Sequence, residues 1–392
     1  MASDHRPRRP RRAQFVICAN GTLSEPKLSR IAGMETFAGR VPHLALGLRL
    51  HRREPRTAGG QGGGHHRHRR HRRAGGSGLG ASAKALYVFQ RTPSSIDVRD
   101  DWETDPAWAA RRTPGWQAKR RARAIEGPQI SPERQQQLAA ETREEKIRRQ
   151  EHENIDYMMR IHRRIEETVH DKATAEALKP WYMFMCKRPC FHNDYLPTFN
   201  LPSVHLVDTH GKGVTEITAK GPLIDGVQYE LDLLIYATGF EVQKTGIYNR
   251  IVGRDGLELE EKYRDGIRTL LGIHTHGFPN LFIMGGYQAS FQFNLTDMLQ
   301  TQGDHIAACI DYVREHGFRT IDATDAAEEW WVQEVIAHRG KTSRNQDCTP
   351  GYYNFEGESN RRQDGNYNGG FKQYFQHQGA VRARMQGNFD LR

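Results

Sequence analysis

The sequence predicts an α/β fold with a nucleotide-binding sheet, because two apolar strands end in glycine turns. Residues 231–236 are nearly all apolar, as in a strand that is covered on both faces, and they lead into Thr238-Gly239. A second apolar strand at 280–284 leads into Gly285-Gly286, and a helix follows from about 297 to 314. Strand, glycine turn and helix in this order are typical of sheets that bind nucleotides.

Further strands fit the same fold class. Residues 13–21 predict a short buried strand that ends in a turn of small residues at Asn20-Gly21. Strands are also predicted at 85–90 and 204–208. A hairpin that begins near Val214 is expected to turn at Asp225-Gly226, a dipeptide favoured in tight hairpin turns.

Residues 103–180 are polar and helix-prone, with long runs of Glu, Arg and Gln. Apolar residues recur there at helical spacing, namely Ile155, Met158, Met159, Ile161 and Ile165. This pattern predicts solvated helices with one buried stripe.

The length and composition limit the class of protein. The 392 residues are enough for two or three packed units, and hydrophobic residues, at 37%, are fewer than usual. No apolar run approaches the ~18 residues of a membrane helix, and no signal-peptide pattern opens the chain. We therefore expect a cytoplasmic protein without a membrane partner.

The cysteines are scattered and odd in number: Cys18, Cys186, Cys190, Cys309 and Cys348. Reduced thiols in a cytoplasmic protein are the simplest interpretation. Cys186 and Cys190 lie near His192, but the second ligand pair that a zinc site requires is missing. No metal site is predicted.

The positive charge lies near the start of the chain. The formal net charge is +10, yet residues 1–77 carry +13 and the remaining residues carry −3. The run His65–Arg73 contains only His and Arg, and the apolar period is lost from 40 to 77, which predicts disorder there. A basic arm of this kind is typical of nucleic-acid binding, which is one of two interpretations of the block.

Two motifs suggest cofactor contacts, each with a plain structural alternative. Arg91 follows directly on the strand 85–90, where an arginine accommodates the 2′-phosphate of NADP, but a surface arginine in a Thr-Pro turn is also consistent. Thr238-Gly239 allows close approach of a cofactor to the backbone, although ordinary strand-end geometry explains it equally well.

Several motifs together resemble those of Baeyer–Villiger monooxygenases. They are Ala19–Ser24, Val88–Pro93, Met185–Pro189, Tyr195–Asn200, Val204–Asp208, Asp232–Phe240 and Phe278–Phe282. The segment Cys348–Asn354 is most similar to the branch that acts on large cyclic ketones. The resemblance covers residues 13–39 and 80–392.

The resemblance implies an incomplete flavoprotein with two dinucleotide-binding domains. The family's two Gly-x-Gly-x-x-Gly/Ala fingerprints are missing, and of the signature F-x-G-x-x-x-H-T-x-x-W only Phe37-Ala38-Gly39 remains. We expect an N-terminal truncation that removes the Rossmann segment of the FAD domain. The expected units are a remnant of the FAD domain and linker at 1–39, an NADP-binding domain with helices at 40–180, the C-terminal part of the FAD domain at 181–310, and an extension near the active site at 311–392.

The resemblance also implies an activity, in which NADPH, FAD and O₂ convert a cyclic ketone to an ester or lactone through a peroxyflavin. Arg188 matches the family's catalytic arginine, and Lys187 matches a contact to the nicotinamide cofactor. Arg91 and Thr92 match the 2′-phosphate site, and Met298 matches a position in the flavin and substrate pocket. The other implied cofactor contacts are Asn20, Gly21, Thr238, Gly239 and Gly285. Asn20 stands where the family usually has Thr.

The basic block suggests a shifted reading frame. Codons that encode His65 onward, read one base over, can give Ile-Ile-Gly-Thr-Gly-Ala-Thr-Ala, which contains the missing dinucleotide fingerprint. The same shift from Val41 can restore the missing His-Thr-x-x-Trp. We therefore hypothesise that residues about 3–12 and 40–77 are translated out of frame. Resequencing the DNA tests this hypothesis, and an intact frame would contradict it.

Three alternatives remain open at this point. The chain is a non-catalytic fragment, a protein with a basic arm for nucleic acid, or a flavin-dependent N-hydroxylating monooxygenase. Because no fingerprint presents backbone N–H groups to the pyrophosphate, we expect the purified chain to be colourless and not to consume NADPH with ketones. The ketone, its regiochemistry and the oligomeric state are not predicted.

Overall fold

The computed structural model describes residues 11–21, 23, 25–41, 78–126, 130–241, 248–290, 294–338, 348, 351 and 364–392. Most of the two stretches in the reading-frame hypothesis, residues 1–10 and 42–77, lie outside the described residues. That hypothesis stays a prediction.

The strands are short. They are β1 Val16–Cys18, β2 Glu25–Pro26, β3 Leu86–Gln90, β4 Ile96–Asp97, β5 Cys190–Phe191, β6 Val204–Asp208, β7 Glu216–Thr218, β8 Gly221–Ile224, β9 Val227–Gln228, β10 Phe240–Glu241, β11 Leu281–Ile283, β12 Ile321–Ala323 and β13 Phe389–Leu391. Three pairs are parallel, β1 with β11, β3 with β6, and β4 with β5. The others are antiparallel, including the meander β7-β8-β9.

The α-helices are α1 Pro106–Ala110, α2 Trp116–Glu126, α3 Pro132–Ala140, α4 Arg143–Thr168, α5 Lys172–Leu178, α6 Tyr195–Thr198, α7 Leu259–Lys262, α8 Leu295–Glu315, α9 Asp325–Ala337, α10 Phe371–Ala383 and α11 Met385–Asn388. Parallel strand pairs joined through helices confirm the α/β prediction. None of the helices in the described part of the chain is both long and apolar enough to span a bilayer.

The hairpin turn and the helical character of residues 103–180, which contain α1 to α5, were predicted correctly. Asp225 and Gly226 both have positive φ, 48° and 82°, and connect β8 to β9. In α4, Met158, Ile161 and Ile165 are buried as expected, whereas Ile155 and Met159 are more than half exposed. The buried stripe is narrower than predicted because the helix packs along one side only.

Two strand predictions were wrong in part. Residues 231–236 do not form a strand covered on both faces, since Leu233 makes an isolated bridge to Arg40 and is 42% exposed. The run makes single bridges at Leu233 and Tyr236 rather than a ladder, and only one of its faces is covered, because Leu234 and Tyr236 are buried while Leu233 is exposed. Likewise, β1 is a strand, but Val16 and Ile17 are about half exposed rather than buried.

The largest group of buried side chains lies in the C-terminal part, which we call the C-terminal core. It contains Leu270, Leu271, Ile273, Phe282, Ala289, Met298, Ile306, Cys309, Val313, Ile321, Ala323, Ala327, Trp331, Val335, Tyr367, Phe371, Tyr374, Val381, Met385 and Phe389. Trp331 is fully buried and its indole N–H donates to the Gln288 carbonyl at 3.1 Å. This core joins β11 and α8 to α9 and α10, so it fixes the glycine turn that follows β11.

The expectation that all five cysteines are reduced thiols was wrong. Cys186 and Cys348 form a disulfide with a Cα–Cα distance of 5.2 Å. Sequence spacing could not show this, because 162 positions separate the two residues. Cys18, Cys190 and Cys309 are free thiols.

Candidate functional site

The parallel pair β3–β6 positions Arg91 and Thr92. Gln90, the last residue of β3, pairs with Asp208, and the Thr209 hydroxyl donates to the Gln90 carbonyl at 2.8 Å. Arg91 therefore follows directly after a strand end whose last residue, Gln90, is held by backbone pairing and by Thr209. Its side chain is exposed and, within the described residues, has no hydrogen bond or ion pair. An unpaired guanidinium at this strand end is suited to a phosphate.

Lys187 and Arg188 follow the hydrogen-bonded turn Met183–Cys186 and precede β5, and we call residues 183–188 the Lys187–Arg188 turn. Met185 has a φ of 71°, a left-handed conformation that is uncommon for a residue with a side chain. The Cys186 N–H donates to the Met183 carbonyl at 3.1 Å, which closes the turn. Arg188 follows with an exposed side chain, and its guanidinium makes no hydrogen bond or ion pair within the described residues. It can therefore bind a ligand without breaking a contact there.

Ser95 links this turn to the segment that follows Thr92. The Ser95 N–H donates to the Tyr182 hydroxyl at 3.2 Å, and its carbonyl accepts from the Cys190 N–H at 3.0 Å. The Lys187 ammonium lies 5.8 Å from the centre of the Tyr182 ring. The buried Ser95, three residues after Thr92, thus bonds to residues on both sides of positions 187–188, namely Tyr182 and Cys190.

The glycine turns form a second group at the carboxyl ends of β1 and β11. Cys18 is in register with Ile283, and the Met284 N–H donates to the Cys18 carbonyl at 2.9 Å. Because parallel strands end at the same edge, Asn20-Gly21 and Gly285 lie on one side of this pair. Gly285 has a φ of 69° and its N–H donates to the Gln302 side chain at 2.9 Å.

Thr238 and Gly239 are held against the chain that follows β1. The Lys27 N–H donates to the Gly239 carbonyl at 2.9 Å, and the Thr238 hydroxyl donates to the Lys27 carbonyl. The Thr238 hydroxyl thus already bonds to protein, whereas Gly21 is open: a Cβ placed on it would meet no atom within 4 Å. Gly21 and Gly239 both have positive φ, as expected of turns that present backbone to a cofactor.

Met298 is 1% exposed and belongs to the C-terminal core. It lies in the first turn of α8, which Asn294 caps by accepting from the Thr296 N–H at 2.9 Å. Residues 291–293, which precede this cap, are outside the described residues. The expectation that Met298 lines a substrate pocket stays a prediction.

Sequence reasoning missed an ion pair beside Met298. Arg121 of α2 pairs with Asp297, and its Nη2 donates to the Thr301 hydroxyl at 2.9 Å. This pair ties the helical segment to α8. No sequence signal could have found it, because Arg121 stands in a run of basic residues that look equally solvated.

Sequence reasoning also missed a buried group of His274, His305 and Cys309. The two His Nε2 atoms lie 3.0 Å apart, and the Cys309 sulfur lies 3.5 Å from His305 Nε2. Arg382 donates to His305 Nδ1 at 3.2 Å, so the proton of this neutral ring is on Nε2, where it is donated to His274. Nε2 of His274 and both ring nitrogens of His305 are therefore used in hydrogen bonds.

Burial controls the protonation of this group. Desolvation, reinforced by Arg382, lowers the pKa of His305 to about 3. It also lowers the pKa of His274 well below its usual range and raises the pKa of the Cys309 thiol to about 12. All three side chains are therefore neutral at pH 7.

The described residues fit the implied cofactors unequally. Arg91 offers a free cation after a strand, which fits the 2′-phosphate of NADP(H). Gly21 offers an open, positive-φ backbone position that fits close approach of FAD. The chain after β1 continues into β2 rather than into a helix, so no helix N-terminus meets a pyrophosphate at this turn.

Comparisons with known proteins agree on one family, although no protein-family model matches the chain. A pentalenolactone D synthase from Streptomyces exfoliatus is 38% identical over 388 residues, which cover 88% of this chain and 65% of that protein. A Baeyer–Villiger monooxygenase from Stachybotrys chlorohalonatus is 36% identical over 410 residues, which cover 93% of this chain and 63% of that protein. The chain therefore spans slightly less than two thirds of these curated relatives.

A solved structure shares the fold. The polycyclic ketone monooxygenase from the thermophilic fungus Thermothelomyces thermophila superposes with a TM-score of 0.81 at 29% identity. The match covers 97% of this chain and 68% of that one. This likeness confirms the predicted fold class, an incomplete version of an α/β protein with two dinucleotide-binding domains.

Proposed function

The chain belongs by homology to the Baeyer–Villiger monooxygenases, and from this premise we propose that it oxidises a ketone to an ester or lactone with NADPH, FAD and O₂. The observation that carries the proposal is the unpaired, exposed Arg188 in a closed turn that Ser95 links to the Arg91 segment. The proposed substrate is a large cyclic ketone. A cytoplasmic location stays a prediction.

NADPH is assigned to the two cationic positions. Arg91 and Thr92 would bind the 2′-phosphate, since guanidinium is a planar, permanently charged donor that pairs well with phosphate. Lys187 would contact the nicotinamide part from the turn before β5. In this assignment, the segment after β3 binds the phosphate end of NADPH and the segment before β5 binds the nicotinamide end. Ser95, which follows the first segment, bonds to Tyr182 and Cys190 on either side of the second.

FAD is assigned to the glycine turns around β1 and β11. Gly21, Gly239 and Gly285 have the positive φ that lets backbone approach a flat cofactor, and Asn20 and Thr238 flank them. FAD supplies the two-electron and oxygen chemistry when bound. The buried Gln302, which holds the Gly285 N–H, keeps that turn in place.

Arg188 provides the fixed positive charge that the reaction needs. Oxygen insertion into a ketone passes through an anionic adduct, and a guanidinium stays protonated at all working pH values. Its neighbour Lys187 brings a second cation. Met298 would cover the apolar part of the ketone from α8.

The proposed domain boundaries follow the same assignments. The FAD-domain remnant ends near 39, the NADP-binding part with its helices ends near 180, and the returning FAD part ends near 310. Residues 311–392 contain α9 and α10, which complete the C-terminal core behind Met298.

The experiment supplies FAD in excess, because the missing fingerprints predict weak retention. The 392-residue chain is incubated with FAD, NADPH and a large cyclic ketone, and the lactone is measured by mass spectrometry. We expect NADPH-dependent lactone and a loss of about 100-fold or more in Arg188→Ala. Exposed Arg99, which pairs with Asp101, gives the matched control Arg99→Ala with unchanged yield.

The outcomes separate the alternatives. A hydroxylamine formed from an amine substrate, without lactone from the ketone, would assign the chain to N-hydroxylation. A folded chain that makes neither product with excess FAD would identify a non-catalytic fragment. Salt-dependent binding of DNA or RNA would instead support the basic-arm interpretation.

A further inference from the structure

The one disulfide among the described residues ends directly beside the proposed catalytic turn. Cys186 is 6% exposed and immediately precedes Lys187 and Arg188. Its partner Cys348 comes from a part of the chain 162 positions away. A covalent bond from a remote segment thus fixes the residue on which the position of both cations depends.

The turn is anchored by separate contacts on its N-terminal and C-terminal sides. On the N-terminal side, the Phe184 N–H donates to the Asn154 side chain at 3.2 Å and the Phe184 ring lies 3.9 Å from that of Tyr157. On the C-terminal side, β5 pairs with β4 in parallel register.

Between these contacts, Met185 has a left-handed backbone and is 53% exposed. Such a conformation in a residue with a side chain persists when its surroundings impose it. The disulfide at the next residue is a covalent constraint of that kind. Breaking it leaves the Met183–Cys186 hydrogen bond to hold the backbone of the turn.

We propose that Cys186 and Cys348 are positioning residues for Arg188 and form a redox-sensitive tether for the Lys187–Arg188 turn. The oxidised tether holds the guanidinium in place, and the reduced chain lets the turn open. The catalytic consequence rests on the function proposed above, whereas the opening of the turn does not.

The redox step is a thiol–disulfide exchange. A dithiol attacks the disulfide through its thiolate, forms a mixed disulfide and then closes to its own cyclic disulfide. Two electrons and two protons pass to the protein, which gives the thiols of Cys186 and Cys348. Oxidised glutathione reverses the reaction and leaves as two molecules of the reduced thiol.

The other cysteines are poorly suited to this exchange. Burial raises the pKa of the Cys309 thiol to about 12, and desolvation also raises the pKa of Cys18. Thiolate is the reactive form, so neither competes well at neutral pH. Cys190 is half-buried, and its thiol donates to the Arg188 carbonyl at 3.5 Å. Cys190→Ser therefore serves as the matched control.

The test uses the full chain and the tryptic site at the Lys187–Arg188 bond. Non-reducing peptide mapping is expected to yield linked peptides containing Cys186 and Cys348. Dithiothreitol is expected to speed cleavage at Lys187 about tenfold, because local opening exposes the bond. Oxidised glutathione should restore slow cleavage, which a purely structural change would not do.

Two variants make the result specific. Cys348→Ser should be cleaved at the fast rate with or without dithiothreitol, whereas Cys190→Ser should respond like the wild type. In the FAD-supplemented assay, Cys348→Ser should lower the lactone yield. The ratio of the NADP⁺ and NAD⁺ dissociation constants, which reports on the 2′-phosphate at Arg91 and not on Lys187, should stay within about twofold of the wild-type ratio.

Absence of the linked peptides, or cleavage at Lys187 that dithiothreitol does not change, would overturn the tether. These readouts need neither flavin nor ketone. A chain that shows the redox-dependent cleavage but no lactone would keep the tether and contradict the proposed function. A chain that makes lactone at the same rate in both redox states would contradict the positioning role of Cys186 and Cys348.

Discussion

The connections that carry Arg91 and Arg188, which we call the exposed turns, differ from the C-terminal core in how their charges are paired. Arg91 and Arg188 are exposed and unpaired within the described residues. In contrast, Glu328 of α9, next to Ala327 of the C-terminal core, is fully buried and accepts from the Lys262 ammonium at 2.9 Å and from the His276 N–H at 2.9 Å. Unpaired exposed cations are available for a ligand, whereas paired buried charges hold the fold.

This difference means that the C-terminal core contributes most to stability, whereas the exposed turns offer groups that can bind a ligand. The turns lie on strand pairs of two to five residues, which contribute little buried area by themselves. The C-terminal core buries Trp331, Tyr367 and Tyr374 completely and holds the turn after β11 from behind. We therefore expect variants of the core to change the free energy of unfolding, and variants of the turns to change ligand binding.

The largest effect is expected from Glu328→Ala. The substitution leaves the nearly buried Lys262 ammonium without its carboxylate, and Arg268, 3.5 Å away, loses a partner as well. Removing one partner of a buried pair costs about 3–5 kcal/mol of unfolding free energy. Urea denaturation followed by circular dichroism measures the loss.

The matched control for Glu328 is Glu230→Ala in the exposed pair Lys220–Glu230, whose side chains are 69% and 67% exposed. A surface pair of this kind contributes less than about 1 kcal/mol. Equal losses in the two variants would contradict the contrast between core and surface.

A smaller loss of unfolding free energy is expected when the pH is lowered. Desolvation, reinforced by Arg382, lowers the pKa of His305 to about 3, below the value of 6.5 expected in the unfolded chain. As pH falls below 6.5, the unfolded chain takes up a proton that the folded chain does not, so the contribution to stability is present above 6.5 and is lost toward pH 3.

Between pH 7 and pH 4 this loss amounts to about 3 kcal/mol for His305 alone. Urea denaturation at the two pH values measures it. His305→Gln removes the titrating ring, so its stability should fall less over the same interval. A variant with the wild-type pH dependence would show that His305 does not titrate as its burial requires.

The capping box of α4 is expected to make a smaller, local contribution to stability outside the C-terminal core. Thr142 and Glu145 form a capping box, in which the Thr142 N–H donates to the Glu145 carboxylate at 2.8 Å and the Glu145 N–H donates to the Thr142 hydroxyl at 3.3 Å. Thr142→Ala should lower the free energy of unfolding by about 1 kcal/mol. Thr142→Ser keeps the hydroxyl and should stay within about 0.5 kcal/mol of the wild type.

Local patterns predicted the elements that local interactions determine. The dipeptide Asp225-Gly226 specified its hairpin, and the helix predicted from about 297 to 314 is α8, Leu295–Glu315. The apolar spacing within 103–180 predicted the buried stripe of α4 but not where that helix begins and ends. Arg91 was singled out because it follows a predicted strand, whereas Arg188 was singled out only through the family resemblance of Met185–Pro189.

The remaining features depend on contacts between distant segments. Leu233 looked like a core strand residue because its neighbours are apolar, but its pairing depends on Arg40. The pairs Cys186–Cys348, Arg121–Asp297 and His274–His305 join positions between 31 and 176 residues apart. No periodicity encodes such a pairing, so the tertiary fold alone reveals it.

The smallest effect on stability is expected from Arg91→Ala, although this substitution should weaken NADP⁺ binding strongly. Arg91 is exposed and makes no hydrogen bond or ion pair within the described residues, so Arg91→Ala should change the free energy of unfolding by no more than about 0.5 kcal/mol. The same variant should weaken NADP⁺ binding about tenfold, because a charge-assisted hydrogen bond to phosphate contributes roughly 1.5–3 kcal/mol. NAD⁺ lacks the 2′-phosphate, so its affinity should not change. Isothermal titration with both nucleotides tests the assignment, and equal weakening of NADP⁺ and NAD⁺ would place Arg91 outside the 2′-phosphate site.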